Sequence, residues 1–254
     1  MRICSIAKSN TEILHFLGQD EKIVGATSYD TKMLPGVAVV GSYTDIDVEM
    51  AVSLQPDIVF SSTFLQQKYV EQFEEQGIEV VHFDPICVDD IIQNILSCGR
   101  VIGEWDKASK LAQTMQNEIA AIQKSVQDLP KVKVYVEEWP RPPMAAGNWV
   151  VQMIELAGGI GILTQGERSR EVTLTEVEKF NPEKIILNWC GIGKNADISL
   201  LKKRDGWSII AAIAQDKIFA IDDSYFNTPS QNIVPGIELI AKILHGTPKV
   251  ETNS

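Results

Sequence analysis

Pairs of carboxylates stand at the ends of two predicted strands of this chain, where acid–base chemistry would be placed. Glu137 and Glu138 follow one strand, and Asp222 and Asp223 follow another. In a parallel sheet the carboxyl ends of the strands face the ligand crevice. Carboxylates at that edge are residue types that general acid and base catalysis uses, and Glu138 with Asp223 is the one such pair the sequence offers.

Aromatic residues cluster at the same strand ends. They are Trp139 and Trp189 after two strands, Tyr225-Phe226 after a third, and Tyr29 and Tyr43 in loops of the first half. Loop packing would account for any one of them. Together they suit a cleft for a large, flat, partly apolar ligand, because aromatic faces supply contact area to such molecules.

Histidines and cysteines offer no further reaction site. His15 and His245 lie in predicted helices and His82 in a predicted strand, and there is no G-x-S-x-G turn, so a Ser-His-acid hydrolase is not expected. The cysteines show neither a C-x-x-C pair nor a His at ligand spacing; they are Cys4, Cys87, Cys98 and Cys190. We therefore expect no catalytic residue, no zinc site and no disulfide framework.

The charge balance of the 254 residues excludes other classes of partner. With 34 acidic and 23 basic residues the formal net charge is -11, which argues against nucleic acid and against an anionic membrane surface. No stretch approaches the roughly 18 apolar residues of a membrane helix, and the first apolar run breaks at Lys8, too early for a signal peptide. As it stands the sequence predicts a cytoplasmic protein, or a periplasmic or cell-surface one if a leader was removed.

The elements that position these residues alternate between strands and helices in two runs. Strands are predicted at 3–7, 22–27, 58–60 and 78–83, and again at 132–136, 185–187 and 217–221. This alternation indicates parallel sheets covered by helices. Ser9 with Glu12 has the spacing of a capping box for the first helix, Asp45 is predicted to start the second, and Asn148 is placed to cap a helix of the second run.

A long helix is predicted between the two runs. Residues 104–129 contain no Gly or Pro, and apolar residues recur at every third or fourth position. At about 1.5 Å per residue this helix would span roughly 35–40 Å. The chain is therefore predicted to have an N-terminal α/β lobe at 1–103, a spine helix at 104–129 and a C-terminal α/β lobe at 130–254, with a small-molecule cleft between the lobes.

Short motifs along nearly the whole chain resemble one family of ligand-binding proteins. They are Ser9-Asn10-Thr11-Glu12-Ile13-Leu14, Val24-Gly25, Leu54-x-Pro56-Asp57-Ile58-Val59, Leu156-Ala157-Gly158-Gly159 and Asp205-Gly206-Trp207. In this order they resemble the cobalamin and iron-siderophore receptors of ABC importers. The segment Glu137-Glu138-Trp139-Pro140-x-Pro142-Pro143, with Ala146-Gly147-Asn148-Trp149, is similar to the branch of cobalamin-binding proteins.

This resemblance implies an α/β fold of two Rossmann-like lobes bridged by one long rigid helix, the helical-backbone class of substrate-binding proteins. It implies that the ligand lies between the lobes and that side chains pack on the corrin rather than ligate cobalt. By position, the implied ligand contacts are Lys8, Ser9, Tyr29, Tyr43, Trp139, Trp149, Tyr225 and Phe226.

The resemblance also implies a membrane partner. Receptors of this family dock on their ABC permease through one Glu in each lobe, and Glu49, seven residues before Pro56, matches the first. Seven residues before Pro182 the chain has Thr175, and Glu176 follows it on a different helical face. Permease docking is therefore expected through Glu49 and, with this departure, Glu176.

Three functional hypotheses follow from the sequence. The first is a non-enzymatic, monomeric binding protein for cobalamin or a related corrinoid, with no intrinsic cofactor and the metal chelate as bound ligand. The second is a receptor for a ferric siderophore or haem-like chelate, for which Arg141, Arg168 and Arg170 would supply positive charge. The third is a cytoplasmic enzyme acting on a corrinoid through Glu138 and Asp223.

Overall fold

The computed structural model describes residues 1–246, and these divide into two compact units. Unit 1 comprises residues 1–85 and 91–112, and unit 2 comprises residues 86–90 together with the described residues from 113 onward. Each of the two alternating runs in the sequence forms a sheet of its own. The predicted α/β fold with two sheet-based lobes is confirmed.

Unit 1 is built on a five-stranded sheet in the order β3-β2-β1-β4-β5, in which every neighbouring pair is parallel. Its elements are β1 (Ile3–Ser5), α1 (Lys8–Phe16), β2 (Ile23–Ala26), β3 (Ala38–Val39), α2 (Val48–Ser53), β4 (Ile58–Ser62), α3 (Gln67–Glu74), β5 (Glu79–Phe83) and most of α4 (Val88–Ile102). The two central strands, β1 and β4, are buried along their whole length. Because all strands are parallel, their carboxyl ends meet at one edge, which we name the carboxyl edge of unit 1.

The helices of unit 1 begin at residues other than those predicted. α1 begins at Lys8 with Ala7 as its N-cap, and no side chain caps it, so the capping box assigned to Ser9 and Glu12 is wrong. Ser9 instead lies inside the first turn and is buried. The cap of α2 is Asp47 rather than Asp45, and its carboxylate accepts the Met50 N–H at 2.9 Å.

One long helix, α5 (Trp105–Val126), is shared by the two units. It has 22 residues, a length of about 33 Å, and it begins and ends within a few residues of the predicted 104–129. Close packing against α4 fixes its first turns, because a Cβ atom at Gly99 would lie 2.2 Å from that of Ala108. None of the helices in residues 1–246 combines the length and apolar composition that a membrane crossing requires.

Unit 2 is built on strands in the order β11-β10-β6-β7-β9, with β8 also paired to β6. Its remaining elements are β6 (Val132–Pro140), β7 (Pro143–Ala145), α6 (Trp149–Leu156), β8 (Gly159–Gly161), β9 (Arg170–Glu171), α7 (Leu174–Phe180), β10 (Lys184–Leu187), α8 (Ile198–Lys202), α9 (Ala211–Ala214), β11 (Ile218–Ala220) and α10 (Ile233–His245). β6 pairs in parallel with β8 and with β10, and β10 pairs in parallel with β11. We name the carboxyl ends of these four parallel strands the carboxyl edge of unit 2.

The sheet of unit 2 is mixed, so the expectation of a wholly parallel sheet is wrong here. The chain reverses after Pro140, which brings Met144 opposite Trp139 and makes β7 antiparallel to both β6 and β9. Asn148 precedes α6 as predicted, but its side chain makes no capping bond because its backbone takes a φ of 52°.

A buried ion pair holds the carboxyl end of β6 in place. Glu137 is 0% exposed, and the Arg204 guanidinium donates to its two carboxylate oxygens at 2.7 and 2.8 Å. The Tyr135 hydroxyl and the Trp189 indole N–H donate to the same carboxylate at 2.8 and 3.0 Å. Glu137 was expected to face the ligand crevice with Glu138, and this placement is wrong, because four donors from the core take up its carboxylate.

Removing Arg204 is expected to destabilise unit 2 strongly. In Arg204→Ala the Glu137 carboxylate stays buried without its counter-charge, and we expect the free energy of unfolding to fall by about 3–5 kcal/mol. The measurement is urea unfolding followed by circular dichroism. The matched control is Lys202→Ala, which removes an exposed ion pair with Asp216 and should cost under about 1 kcal/mol. Equal losses of unfolding free energy in the two variants would contradict the stabilising role given to the buried Glu137–Arg204 ion pair.

Candidate functional site

The carboxyl edge of unit 1 holds four of the predicted ligand contacts. Lys8 and Ser9 form the start of α1; Ser9 is only 4% exposed, and the Lys8 ammonium lies 3.7 Å from the buried carboxylate of Glu12. Tyr29 is 57% exposed in a turn after β2, and Tyr43 is partly buried beside the end of β4. Tyr29 and Tyr43 therefore present aromatic surface, whereas Ser9 presents little of any kind.

A buried turn directs Tyr29 outward. Thr27 and Asp30, on either side of it, are 0% and 1% exposed, and the Thr27 hydroxyl and backbone N–H both donate to the Asp30 carboxylate. Burial raises the pKa of Asp30, and the two bonds from Thr27 oppose that rise. Since both ends of the turn are fixed in the core, the ring between them is held at the surface.

Gln66, which sequence reasoning missed, ties the loops of this edge together. Its side chain is 0% exposed and its amide N–H groups donate to the carbonyls of Ile6 and Tyr43, while its oxygen accepts the Ser62 N–H at 2.9 Å. Three segments far apart in sequence thereby meet at one amide. A single Gln between a strand and a helix belongs to no sequence pattern from which these contacts could have been predicted.

Phe64 and Leu65 are further residues that sequence reasoning missed. They follow β4 directly and are 51% and 44% exposed, at the same edge as Tyr43. The available signal was two large apolar residues immediately after the polar run Ser61-Ser62-Thr63 that ends a buried strand.

The carboxyl edge of unit 2 presents Trp139 and holds the other predicted aromatics more deeply. Trp139 is 43% exposed near the end of β6, with its indole N–H bonded to the Arg141 carbonyl at 3.0 Å. The Trp149 indole N–H donates to the carbonyl of Phe226 at 2.6 Å, and these two side chains are 6% and 0% exposed. Tyr225 is partly buried. Trp149 and Phe226 therefore belong to the packing beneath this edge, which corrects their placement as ligand-facing side chains.

The two carboxylates nominated for acid–base chemistry play different parts. Asp223 accepts the backbone N–H groups of Gly191 and Gly193 at 2.7 and 2.9 Å, so its carboxylate holds the loop after β10. Glu138 is partly buried, and burial raises its pKa to about 7 against the opposing hydrogen bond of Ser169. The Ser169 hydroxyl also accepts the Gly147 N–H at 2.9 Å. Glu138 therefore has a raised pKa, but Asp223, the group nominated to work with it, is already engaged by two backbone N–H groups. A single carboxyl group is a poor acid–base site.

Metal ligation by the chain itself finds no support in residues 1–246, because no three His, Cys, Asp or Glu side chains there are grouped to hold an ion. A cavity of about 550 Å³ in unit 2 lies along β8 and α6. Its lining consists of aliphatic, amide and glycine residues with the hydroxyl of Thr164, the charged groups Lys131 and Glu155, and no aromatic ring.

The two docking candidates differ in how their carboxylates are used. Glu49 is exposed on the first turn of α2. Glu176 closes a capping box with Thr173 and bonds Arg170 at 3.0 Å, and the backbone N–H of Thr173 followed by Arg170 lowers its pKa. The carboxylate of Glu176 is thus already engaged within its own chain.

The raised pKa of Glu138 predicts a specific pH dependence of stability. In the unfolded chain this carboxyl loses its proton near 4.5, and in the folded chain only near 7, so stability falls as pH rises through that interval. Glu138→Gln should flatten this part of the profile and be more stable than the parent at pH 8 by roughly 1–3 kcal/mol. Urea unfolding at pH 5 and pH 8 measures it. Parallel plots of stability against pH for the parent and Glu138→Gln would refute the raised pKa of Glu138. Ser169→Ala removes a hydrogen bond that lowers this pKa, so in that variant the fall in stability should continue above pH 7.

The chain is similar over most of its length to two curated proteins whose names describe ligand binding. It is 27% identical to an uncharacterised ABC transporter substrate-binding lipoprotein of Bacillus subtilis, over 96% of this chain and 80% of that one. It is 22% identical to a cobalamin-binding protein of Halobacterium salinarum, over 97% and 70% of the two chains.

Solved structures share the fold. The periplasmic vitamin B12-binding protein of Vibrio cholerae superposes with a TM-score of 0.81 at 18% identity, covering 98% of each chain. The apo form of a periplasmic haem-binding protein of Roseiflexus sp. RS-1 superposes with a TM-score of 0.84 at 21% identity, covering 98% of this chain and 99% of that one. Residues 3–225 match the family model described as periplasmic binding protein. The resemblance seen in the sequence motifs is thereby confirmed, and the chain belongs to the periplasmic binding protein family.

Proposed function

We propose that this protein is the ligand-binding component of an ABC importer and that its ligand is cobalamin or a related corrinoid. The observation that carries the choice of ligand is the aromatic surface presented at the carboxyl edges, by Tyr29 and Tyr43 in unit 1 and Trp139 in unit 2. Rings of this kind match a broad macrocycle with a large apolar area. A relative named for cobalamin binding, aligned over 97% of the chain, supports the same choice.

A binding role without catalysis fits the carboxylates. Glu137 is satisfied inside the core, and Asp223 is committed to two backbone amides. Asp223, the partner nominated for Glu138, is thus already engaged in holding a loop, and acid–base catalysis needs both an acid and a base. This arrangement supports a binding role over the enzyme hypothesis.

The charges favour a corrinoid over an anionic chelate. Arg170, one of the three arginines considered for chelate binding, is paired with Glu167 at 3.6 Å and Glu176 at 3.0 Å. Its charge is offset by its own neighbours, and the whole chain carries a net charge of -11. The second candidate ligand, a haem or ferric siderophore, is favoured by Arg141, which is exposed beside Trp139 at the end of β6.

The proposal includes a permease partner reached through Glu49. This exposed carboxylate on α2 would meet a basic residue of the permease, whereas Glu176 is held by Thr173 and Arg170. The relative described as a lipoprotein favours the extracytoplasmic of the two locations expected from the sequence.

Charge reversal in Glu49→Lys should lower ligand uptake by cells while leaving ligand affinity of the purified protein unchanged.

Calorimetric titration of the purified protein tests the ligand, with cyanocobalamin, haemin and ferrichrome as separate probes. We expect one-to-one binding of cyanocobalamin and an affinity about tenfold weaker in Trp139→Ala, because a ring contact is lost. The matched control is Trp105→Ala: Trp105 is 44% exposed, like Trp139, but lies on α5 under Arg100. Binding of haemin or ferrichrome alone would select the second candidate, and silence with all three would refute both.

A further inference from the structure

The cavity of about 550 Å³ in unit 2 is built from other residues than the proposed corrinoid site. Its volume is within the range of sites that hold small molecules. Among the residues that the structure describes, those that line it include none of the predicted corrinoid contacts. They come instead from α5, α6, β8 and the segments that follow α5 and β8.

One wall of this cavity is a strand with an open edge. In the described part of the chain β8 pairs with β6 alone, through Gly159, Ile160 and Gly161, so its other edge is unpaired. The backbone N–H and C=O groups of such an edge are available to an added peptide segment. Lysine, proline and other residues that normally block an edge do not occur in β8, and Ile160 is 43% exposed.

Two opposite charges line the cavity. The Lys131 ammonium lies 3.5 Å from the backbone carbonyl oxygen of Glu155, near the end of α6. Within residues 1–246 neither side chain forms an ion pair, with the other or with a third residue. Glu155 lies in the last turn of α6, where the helix dipole disfavours a carboxylate, and a ligand ammonium would offset that cost.

Amide side chains complete the polar lining. They belong to Gln123, Gln152 and Gln165. Gln152 is fixed by its own contacts, because its oxygen accepts the Val88 N–H at 2.6 Å and its NH₂ group donates to the Asp89 carboxylate at 3.2 Å. Side-chain amides both donate and accept hydrogen bonds, as a peptide group does, so they can bond a peptide backbone.

We propose that this cavity is a second binding site, which takes a short zwitterionic peptide of about dipeptide length. The peptide carboxylate pairs with Lys131, its ammonium pairs with Glu155, and its peptide group bonds the open edge of β8. The balanced charges of the lining favour a ligand without net charge, and the open strand edge favours a peptide over other zwitterions. This site does not depend on the proposed binding of a corrinoid.

Calorimetric titration of the purified chain with alanylalanine tests the proposal. We expect one-to-one binding with the same affinity whether or not cyanocobalamin is present, since the two ligands would contact different residues. N-acetyl-alanylalanine amide carries neither terminal charge and should bind at least about tenfold more weakly. In nuclear magnetic resonance spectra, alanylalanine should shift the amide signals of Gly159–Gly161 and leave that of Gly25, in β2 of unit 1, unchanged.

Variants test the roles of the two charges. Lys131→Met and Glu155→Gln should each weaken alanylalanine binding at least about tenfold. The matched control is Lys124→Met, because Lys124 is exposed on α5 next to Gln123 but does not line the cavity. Thermal unfolding of the two lysine variants should coincide with that of the parent, since both side chains are exposed.

Four results would overturn the second site and leave the proposed function standing. They are no binding of alanylalanine, equal affinities for the free and the blocked dipeptide, equal affinities of Lys131→Met and Lys124→Met, and displacement of alanylalanine by cyanocobalamin. Conversely, a chain that binds alanylalanine as expected but no metal chelate would overturn the proposed function alone.

Discussion

The buried carboxylate of Glu137 is the constraint on which unit 2 depends. A charge at 0% exposure is tolerable only when donors surround it, and here Arg204, Tyr135 and Trp189 supply four hydrogen bonds from three parts of the chain. Those bonds connect β6 to the segment after β10 and to the segment after α8. The direction in which β6 leaves the sheet, and with it the exposed ring of Trp139 two residues later, follows from that anchoring.

In unit 1 the buried polar group that connects separate segments at the carboxyl edge is neutral. Gln66 joins the end of β4, the loop after β1 and the loop that carries Tyr43 through three hydrogen bonds from one buried amide. An amide carries no net charge into the core, so its burial needs fewer compensating contacts than a carboxylate. In both units a buried polar side chain near the carboxyl edge fixes segments that carry a partly or largely exposed aromatic residue, Tyr43 in unit 1 and Trp139 in unit 2.

Sequence patterns predicted the order of the elements well because parallel strands and amphipathic helices leave local signatures. The buried runs at 58–60 and 185–187 and the uninterrupted helix α5 are recognisable from neighbouring residues alone. Tyr29 and Trp139 could be placed at the carboxyl edges for the same reason, since position near the end of a strand is a local property. The roles of Glu137 and Gln66 could not be predicted, because each depends on hydrogen-bond partners that distant segments provide. Ser9 failed as a cap because the backbone, and not the spacing of its neighbours, decides where a helix begins.

A helix with residues in two cores links their unfolding. The first turns of α5 bury Ala108 and Leu111 in residues assigned to unit 1, while Met115 and Ile119 belong to the stretch assigned to unit 2. Loss of either core would leave part of the helix without its packing, either residues 105–112 or residues 113–126, and isolated helices of such lengths are marginal in water. The chain should therefore melt in one cooperative transition rather than two, and amide protons in the middle of α5 should exchange only through global opening. A chain built this way would not keep one folded unit with newly exposed apolar surface after the other unit has unfolded.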